Sequence, residues 1–207
     1  EKPVPYRSVR LSSGYVALKR EANGNRLYAG LNALQPGEGH QHGDRLNLLT
    51  YSRDRMLTGE KRTRYEDPDQ RVYSGASYGH NTVTVDETSQ VHGNTLKDDR
   101  IPRIDTFVDF PAAQVAEAHG DRVYEQTRIY RRLLCQFDEY LLDLFRVEGG
   151  NVHDWFHHGV GEDPAISIPM ARRTGFEPAL YVMRGGLDYR MGAADEAFTA
   201  TWRLPAE

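Results

Sequence analysis

The 207-residue chain has almost no cysteine, no long apolar run and no excess of positive charge. Its single Cys135 excludes an internal disulfide and any metal site built on thiolates. Cys135 stands in an apolar run, the setting of a buried, inert thiol rather than a nucleophile. No stretch of about 20 apolar residues occurs, so no helical membrane span is expected. The formal charge is −4, from 26 Lys and Arg against 30 Asp and Glu, which argues against general nucleic-acid binding. A local basic cleft for an anionic sugar is still compatible with that total. Neither an internal repeat nor a long amphipathic helix pattern is present. The chain starts at Glu1 rather than Met and carries no secretion signal, so it is expected to be a piece of something longer.

What the sequence does contain is strand after strand. Tyr6 to Leu11 and Tyr15 to Lys19 alternate around a turn at Ser12-Ser13-Gly14, and Leu27 to Leu31 follows a second turn at Asn23-Gly24-Asn25. Leu46 to Tyr51 and Met56 to Thr58 flank a turn expected at Asp54-Arg55. Lys61 to Gly79 is long, charged and poor in apolar residues, which predicts a loop that is either functional or mobile. Thr82 to Val85 is β-branched. Arg103 to Phe110, Ala113 to Ala118 and Val123 to Leu134 alternate. Tyr140 to Val147 is the most apolar strand and is expected at the centre of a sheet, ending at Gly149-Gly150. Residues 163–175 are expected to form a loop, and Ala179 to Arg184 and Phe198 to Arg203 to close the chain as strands. Many short strands bounded by turns predict an all-β fold, a large antiparallel β-sandwich in one domain over residues 1–207.

Three of the eight histidines border these strands within Gly37 to Gln90. His40 and His42 form an H-x-H pair, and a strand's two-residue repeat puts both imidazoles on one face. His80 heads another strand and can meet that face in space. Two or three imidazoles with one carboxylate make a sound ligand set for zinc. Asp44 follows His42 by two, suited either to orient an imidazole or to cap a turn. Arg45, Arg62, Arg64 and Arg71 surround the segment with guanidinium groups shaped for carboxylate or sulfate. Tyr65, Tyr73 and Tyr78 offer rings that either line a sugar cleft or anchor the loop in the core. His153 to His158 is rich in histidine, but His157 and His158 are adjacent and would face opposite sides of a strand.

The run Gly37-Glu38-Gly39-His40-Gln41-His42-Gly43-Asp44-Arg45-Leu46-Asn47, followed by His80-Asn81-Thr82-Val83-Thr84-Val85-Asp86 and Gln90, resembles the heparinase II/III-like polysaccharide lyases. Tyr130-Arg131-Arg132, the strand from Tyr140 to Val147 and Gly149-Gly150-Asn151-Val152-His153-Asp154 fit the C-terminal sandwich of that family. The resemblance implies a lyase that cleaves a uronic-acid polysaccharide, alginate or heparin-like, by β-elimination. It implies zinc bound by His42, Glu60 and His80, with Glu60 where the family usually has Asp. It gives His40 a catalytic place in the cleft, and Arg45, Tyr65 and Tyr78, from their chemistry and place in the segment, are the candidate substrate contacts. It further implies an α/α toroid domain carrying the catalytic Tyr, a periplasmic setting, and room for a homodimer. Asn81 and Gln90 belong to the motif and are expected to fix the backbone. Two alternatives stand beside this one: a non-catalytic carbohydrate-binding sandwich, and a cupin-like metal enzyme that also carries H-x-H on a strand.

Overall fold

The computed structural model describes residues 5–34, 41–60, 66–90, 100–161, 163–176 and 187–204. Its frame is two antiparallel sheets. The first contains β1 (Val9–Arg10), β2 (Tyr15–Ala22), β3 (Asn25–Asn32), β4 (Asn47–Ser52) and β5 (Arg55–Thr58), in that spatial order. The second contains β7 (Arg103–Asp109), β8 (Gln114–His119), β9 (Ile129–Gln136) and β10 (Leu141–Glu148), also in sequential order. Between them in sequence come the short helix α1 (Pro68–Gly75), a 3-10 turn (Ser77–Gly79) and β6 (Val83–Val85). After β10, β11 (His153–Trp155) pairs with β6, β12 (Ala165–Ile166) with β15 (Ala200–Thr201), and β13 (Ala171–Phe176) with β14 (Leu187–Met191).

Alternation decides which residues meet between the sheets. Val16, Leu18, Ala29 and Leu31 of the first sheet share one buried cluster with Ile104, Ala116, Ala118, Tyr130 and Leu134 of the second. That cluster makes the pair of sheets a β-sandwich, the class expected from the strand pattern. The β2–β3 hairpin turns on Asn23 and Gly24, at φ 52° and 74°, the left-handed pair that suits strand twist.

Several local expectations differ from the structure; among them, the strand expected from Val123 starts only at Ile129, as β9. The turn between β4 and β5 falls on Arg53 and Asp54, both at positive φ, one residue before the expected site. The charged stretch before Gly79 contains α1: Asp67 accepts from the Arg71 amide at 2.9 Å and Pro68 follows as the first helical residue. The expected loop at 163–175 contains β12 and most of β13. Among the described residues, strand β10 is an edge strand rather than a central one. Its apolar character is spent on two faces: Phe145 and Val147 pack on the core, while Leu142 and Leu144 point outward and are exposed. The expected strand at Ala179 to Arg184 lies outside the described residues.

Candidate functional site

The site is assembled where the loop entering β4 meets the segment entering β6. Leu46 sits at φ 58°, an uncommon conformation for a branched side chain, yet it is completely buried. Core burial holds the bend, and the bend brings His42 to Asn47 back under the first sheet. The Leu46 amide donates to Asn32 O at 2.6 Å and its carbonyl accepts from Arg132 Nη1 at 2.6 Å. Arg132 also donates to Asn81 O at 2.5 Å, so one guanidinium from β9 clamps both motif segments. A bidentate pair with Asp143, at 2.8 and 2.6 Å, balances its charge.

The segment His80-Asn81-Thr82 is buried throughout and every polar group in it is used. The Asn81 amide donates to Asn47 Oδ1 at 2.8 Å, and Asn81 Nδ2 donates to Leu48 O at 2.9 Å. Asn81 Oδ1 accepts the His158 amide at 2.6 Å. Gln90 brackets Arg45, accepting its amide at 2.8 Å and donating to its carbonyl at 3.1 Å. Tyr130 Oη joins Gln90 at 3.0 Å, Thr82 at 2.9 Å and Val83 O at 2.6 Å. Burial pushes the Tyr130 phenol up to about 12, against the lowering effect of these hydrogen bonds. Asn81 and Gln90 fix backbone, as expected from the motif.

His80 and Glu60 form the centre. His80 Nε2 lies 2.9 Å from Ser74 O, a carbonyl that only accepts, so Nε2 carries a hydrogen. His80 Nδ1 lies 3.0 Å from Glu60 Oε1, which Asn47 Nδ2 also approaches. Nδ1 and a carboxylate oxygen at that distance need a positive particle between them, a proton or a metal ion. Burial disfavours charge on His80, but the Glu60 carboxylate, Asp44 and the Ser74 carbonyl outweigh it and raise its pKa. Burial likewise pushes Glu60 up, but His80 and Asn47 bring it below the ordinary carboxylate range. Asp44 is pushed up by burial against the pull of His80 and Arg45, and accepts from Asn32 Nδ2 at 2.8 Å.

The His42 ring centre stands 5.2 Å from that of His80. Two imidazoles on one tetrahedral zinc place their ring centres about 5 Å apart, and a nitrogen and an oxygen ligand stand about 3.3 Å apart. The residue types are those of a zinc ligand set, and the His42–His80 ring spacing is close to the tetrahedral value, while the 3.0 Å His80–Glu60 contact is that of a hydrogen bond. Three ligand atoms do not yet converge on one point: among the described residues no group of three His, Cys, Asp or Glu is placed to hold a metal.

The other expected site residues separate. His40 and Tyr65 lie outside the described residues. Arg45 and Tyr78, expected to touch substrate, are buried at 3% and 5% exposure. Arg45 Nη1 is turned onto His42 O at 2.5 Å, and burial lowers its pKa. Tyr78 packs its ring on Tyr73 at 5.6 Å. Both therefore brace the site from behind. His158, with no role expected beyond packing, approaches Tyr73 Oη with Nε2 at 3.1 Å on the His80 side. Arg132 carried no expected role at all. Its signal is parity: Tyr130, Arg132, Leu134 and Gln136 alternate inward along β9, which forces a charge into the core.

Residues 4–148 match the profile of a family described as heparinase II/III-like, C-terminal. None of the curated proteins matches the chain. Among solved structures, a mutant of the heparan sulfate lyase HepC from Pedobacter heparinus superposes with a TM-score of 0.64 at 15% identity, over 96% of this chain and 36% of that one. A heparinase III with methylated lysines gives 0.65 at 14% identity, over 95% of this chain and 35% of that one. The chain thus spans about a third of the length of the solved proteins it matches. At such identities the likeness concerns the fold.

Proposed function

Since the chain belongs to the heparinase II/III-like family, we propose that it forms one wall of the cleft in a polysaccharide lyase acting on a uronic-acid polymer such as alginate or a heparin-like chain. The observation that carries this is the contact of the buried His80 with Glu60, with His42 beside it. β-Elimination takes the proton from C5 of the uronate, breaks the C4–O bond, forms the C4–C5 double bond and returns a proton to the leaving oxygen. The uronate carboxylate must be neutralised while charge builds at C5. His40 precedes His42 by two in the sequence, and we assign it to that cleft as a proton-transferring or carboxylate-binding group. The base and acid that complete the reaction are expected on an α/α toroid outside this sandwich.

His42, Glu60 and His80 would hold zinc, and the ion would cross-link three separate segments of the chain. Glu60 is a methylene longer than the usual Asp. Its oxygen reaches His80 Nδ1 at 3.0 Å, which supports a place for Glu60 beside the two imidazoles. The cupin-like alternative is set aside by the family membership.

The test is elemental analysis of the purified chain beside His42→Ala and Glu60→Ala, with a lyase assay, by absorbance of the unsaturated uronate product, run on the full-length parent enzyme, because the sandwich alone is expected to be inactive. About one zinc per chain, lost in both variants, is expected. A metal-free wild type that still releases unsaturated product would remove zinc and keep the lyase. Neither metal nor product from alginate or heparan sulfate would remove both.

A further inference from the structure

The stretch that follows β11 has a second side. His158 faces Tyr73 and the candidate site, and His157 faces the other way. There His157 lies between the two tryptophans of the chain, its ring centre 5.3 Å from Trp155 and 5.5 Å from Trp202. These rings line a hollow of about 490 Å³, with Tyr51, Tyr140 and Glu139 across it. The size falls within the range of about 300–1,000 Å³ that small-molecule sites occupy. A second hollow, lined by Phe145, Val147 and His153, adjoins it and shares Trp155 and Asp143. The two together follow the free edge of β10.

The rings are presented rather than packed away. Trp155 is 56% exposed and Tyr140 59% exposed. Each has backing: Tyr140 stacks on Phe137 at 4.7 Å and 24°, and Trp155 leans on His157 at 30°. Trp202 lies so close over Gly159 that a Cβ there would stand 2.5 Å from Cε2, so the ring needs glycine beneath it. Flat apolar faces with hydrogen-bonding groups at their rim match the two sides of a pyranose ring. The charge decides which pyranose. Among the described residues no Lys or Arg lines either hollow, while Glu139 and Asp143 do, and Asp143 is already committed to Arg132. A uronate or sulfated sugar would meet carboxylate with no cation to receive it. An uncharged sugar would meet no such penalty. The elongated shape suits several linked rings.

We propose that this groove is a second carbohydrate site, separate from the His42–Glu60–His80 region, that takes a neutral oligosaccharide chain on Trp155, Tyr140 and Trp202. It does not depend on the lyase function.

The test exploits the fact that both tryptophans of the chain lie in the groove, so intrinsic fluorescence reports this site. Cellohexaose, xylohexaose and maltohexaose are titrated into the full chain, beside a hexamer of galacturonate. A saturable change with at least one neutral hexamer, half-complete at or below about 1 mM, and none with the uronate, is expected. Trp155→Ala and Tyr140→Ala should each weaken it at least tenfold, while His42→Ala leaves it unchanged. Loss in His42→Ala with retention in Tyr140→Ala would place the sugar elsewhere and overturn the proposal. So would a uronate that binds as well as the neutral sugars, no response to any hexamer, or sedimentation showing a dimer whose contact shields Trp155 from an added quencher. Failure of the lyase assay with retained neutral-sugar binding would remove the lyase function alone.

Discussion

Two regions back onto the same short stretch from Trp155 to His158, and they are built by opposite means. On one side His80, Asn81, Thr82, Gln90 and Arg132 are buried and spend their polar atoms on one another. On the other, Trp155 and Tyr140 present large apolar rings to solvent with little hydrogen bonding. The first region defines positions. Each of its groups is costly to leave unpaired, so the network has one arrangement and the loop bearing His42 inherits it. The second region offers surface. It requires only that rings be backed and reachable, and little stability depends on it.

The contrast breaks most visibly at Arg132. Asp143→Ala would leave a fully buried guanidinium without its counter-charge, at a cost of about 3–5 kcal/mol. Denaturant unfolding should show the midpoint falling accordingly. The double variant Arg132→Met with Asp143→Leu should regain most of that stability, because it buries no charge. It should nonetheless loosen the His42 loop, since Leu46 O and Asn81 O both lose their donor. Amide exchange at Leu46 and Asn47 would report that loss. If the double variant left both amides as protected as in the wild type, Arg132 would not be the clamp.

A smaller effect is expected at Tyr130. Tyr130→Phe removes the donor to Val83 O and the acceptor for Gln90 Nε2, leaving buried groups unsatisfied at a cost of about 1–3 kcal/mol. Gln90→Leu on the same background should add less than it does alone, because the two groups share one hydrogen bond. Strict additivity in that cycle would mean that the seam is a set of independent contacts.

How much of this was legible beforehand follows the same division. The H-x-H and H-N-T-V motifs located the polar seam, and Asn81 and Gln90 behaved as backbone fixers. Strand alternation was enough for the sandwich, because inward parity on β2, β3, β8 and β9 leaves no other way to bury those faces. The places of Arg45 and Tyr78 were not legible, since proximity in sequence to a site does not tell which side of a loop a long side chain takes. The edge position of β10 was hidden by composition: Leu142 and Leu144 make the strand apolar without making it central. Helix α1 was hidden in a charged stretch, although Asp67-Pro68 carries the signal of a helix start. The aromatic groove could not be seen at all, because Tyr51, Tyr140, Trp155 and Trp202 come from four distant segments.

The smallest expected effect is on stability at Trp155, and its smallness is the sharpest form of the comparison. Trp155 pairs with Val83 through its backbone, and that pairing survives truncation of the side chain. More than half of the residue is already in water, so removing the ring gives up little buried area. Trp155→Ala should therefore change unfolding free energy by only about 0.5 kcal/mol, the range of ordinary surface substitutions. Thermal or denaturant unfolding followed by circular dichroism avoids the lost fluorophore. A change of several kcal/mol would mean that the ring is a structural prop of the β6–β11 pair and part of the seam. A near-zero change leaves an exposed tryptophan that folding does not need, which is the property expected of a residue kept for what it binds.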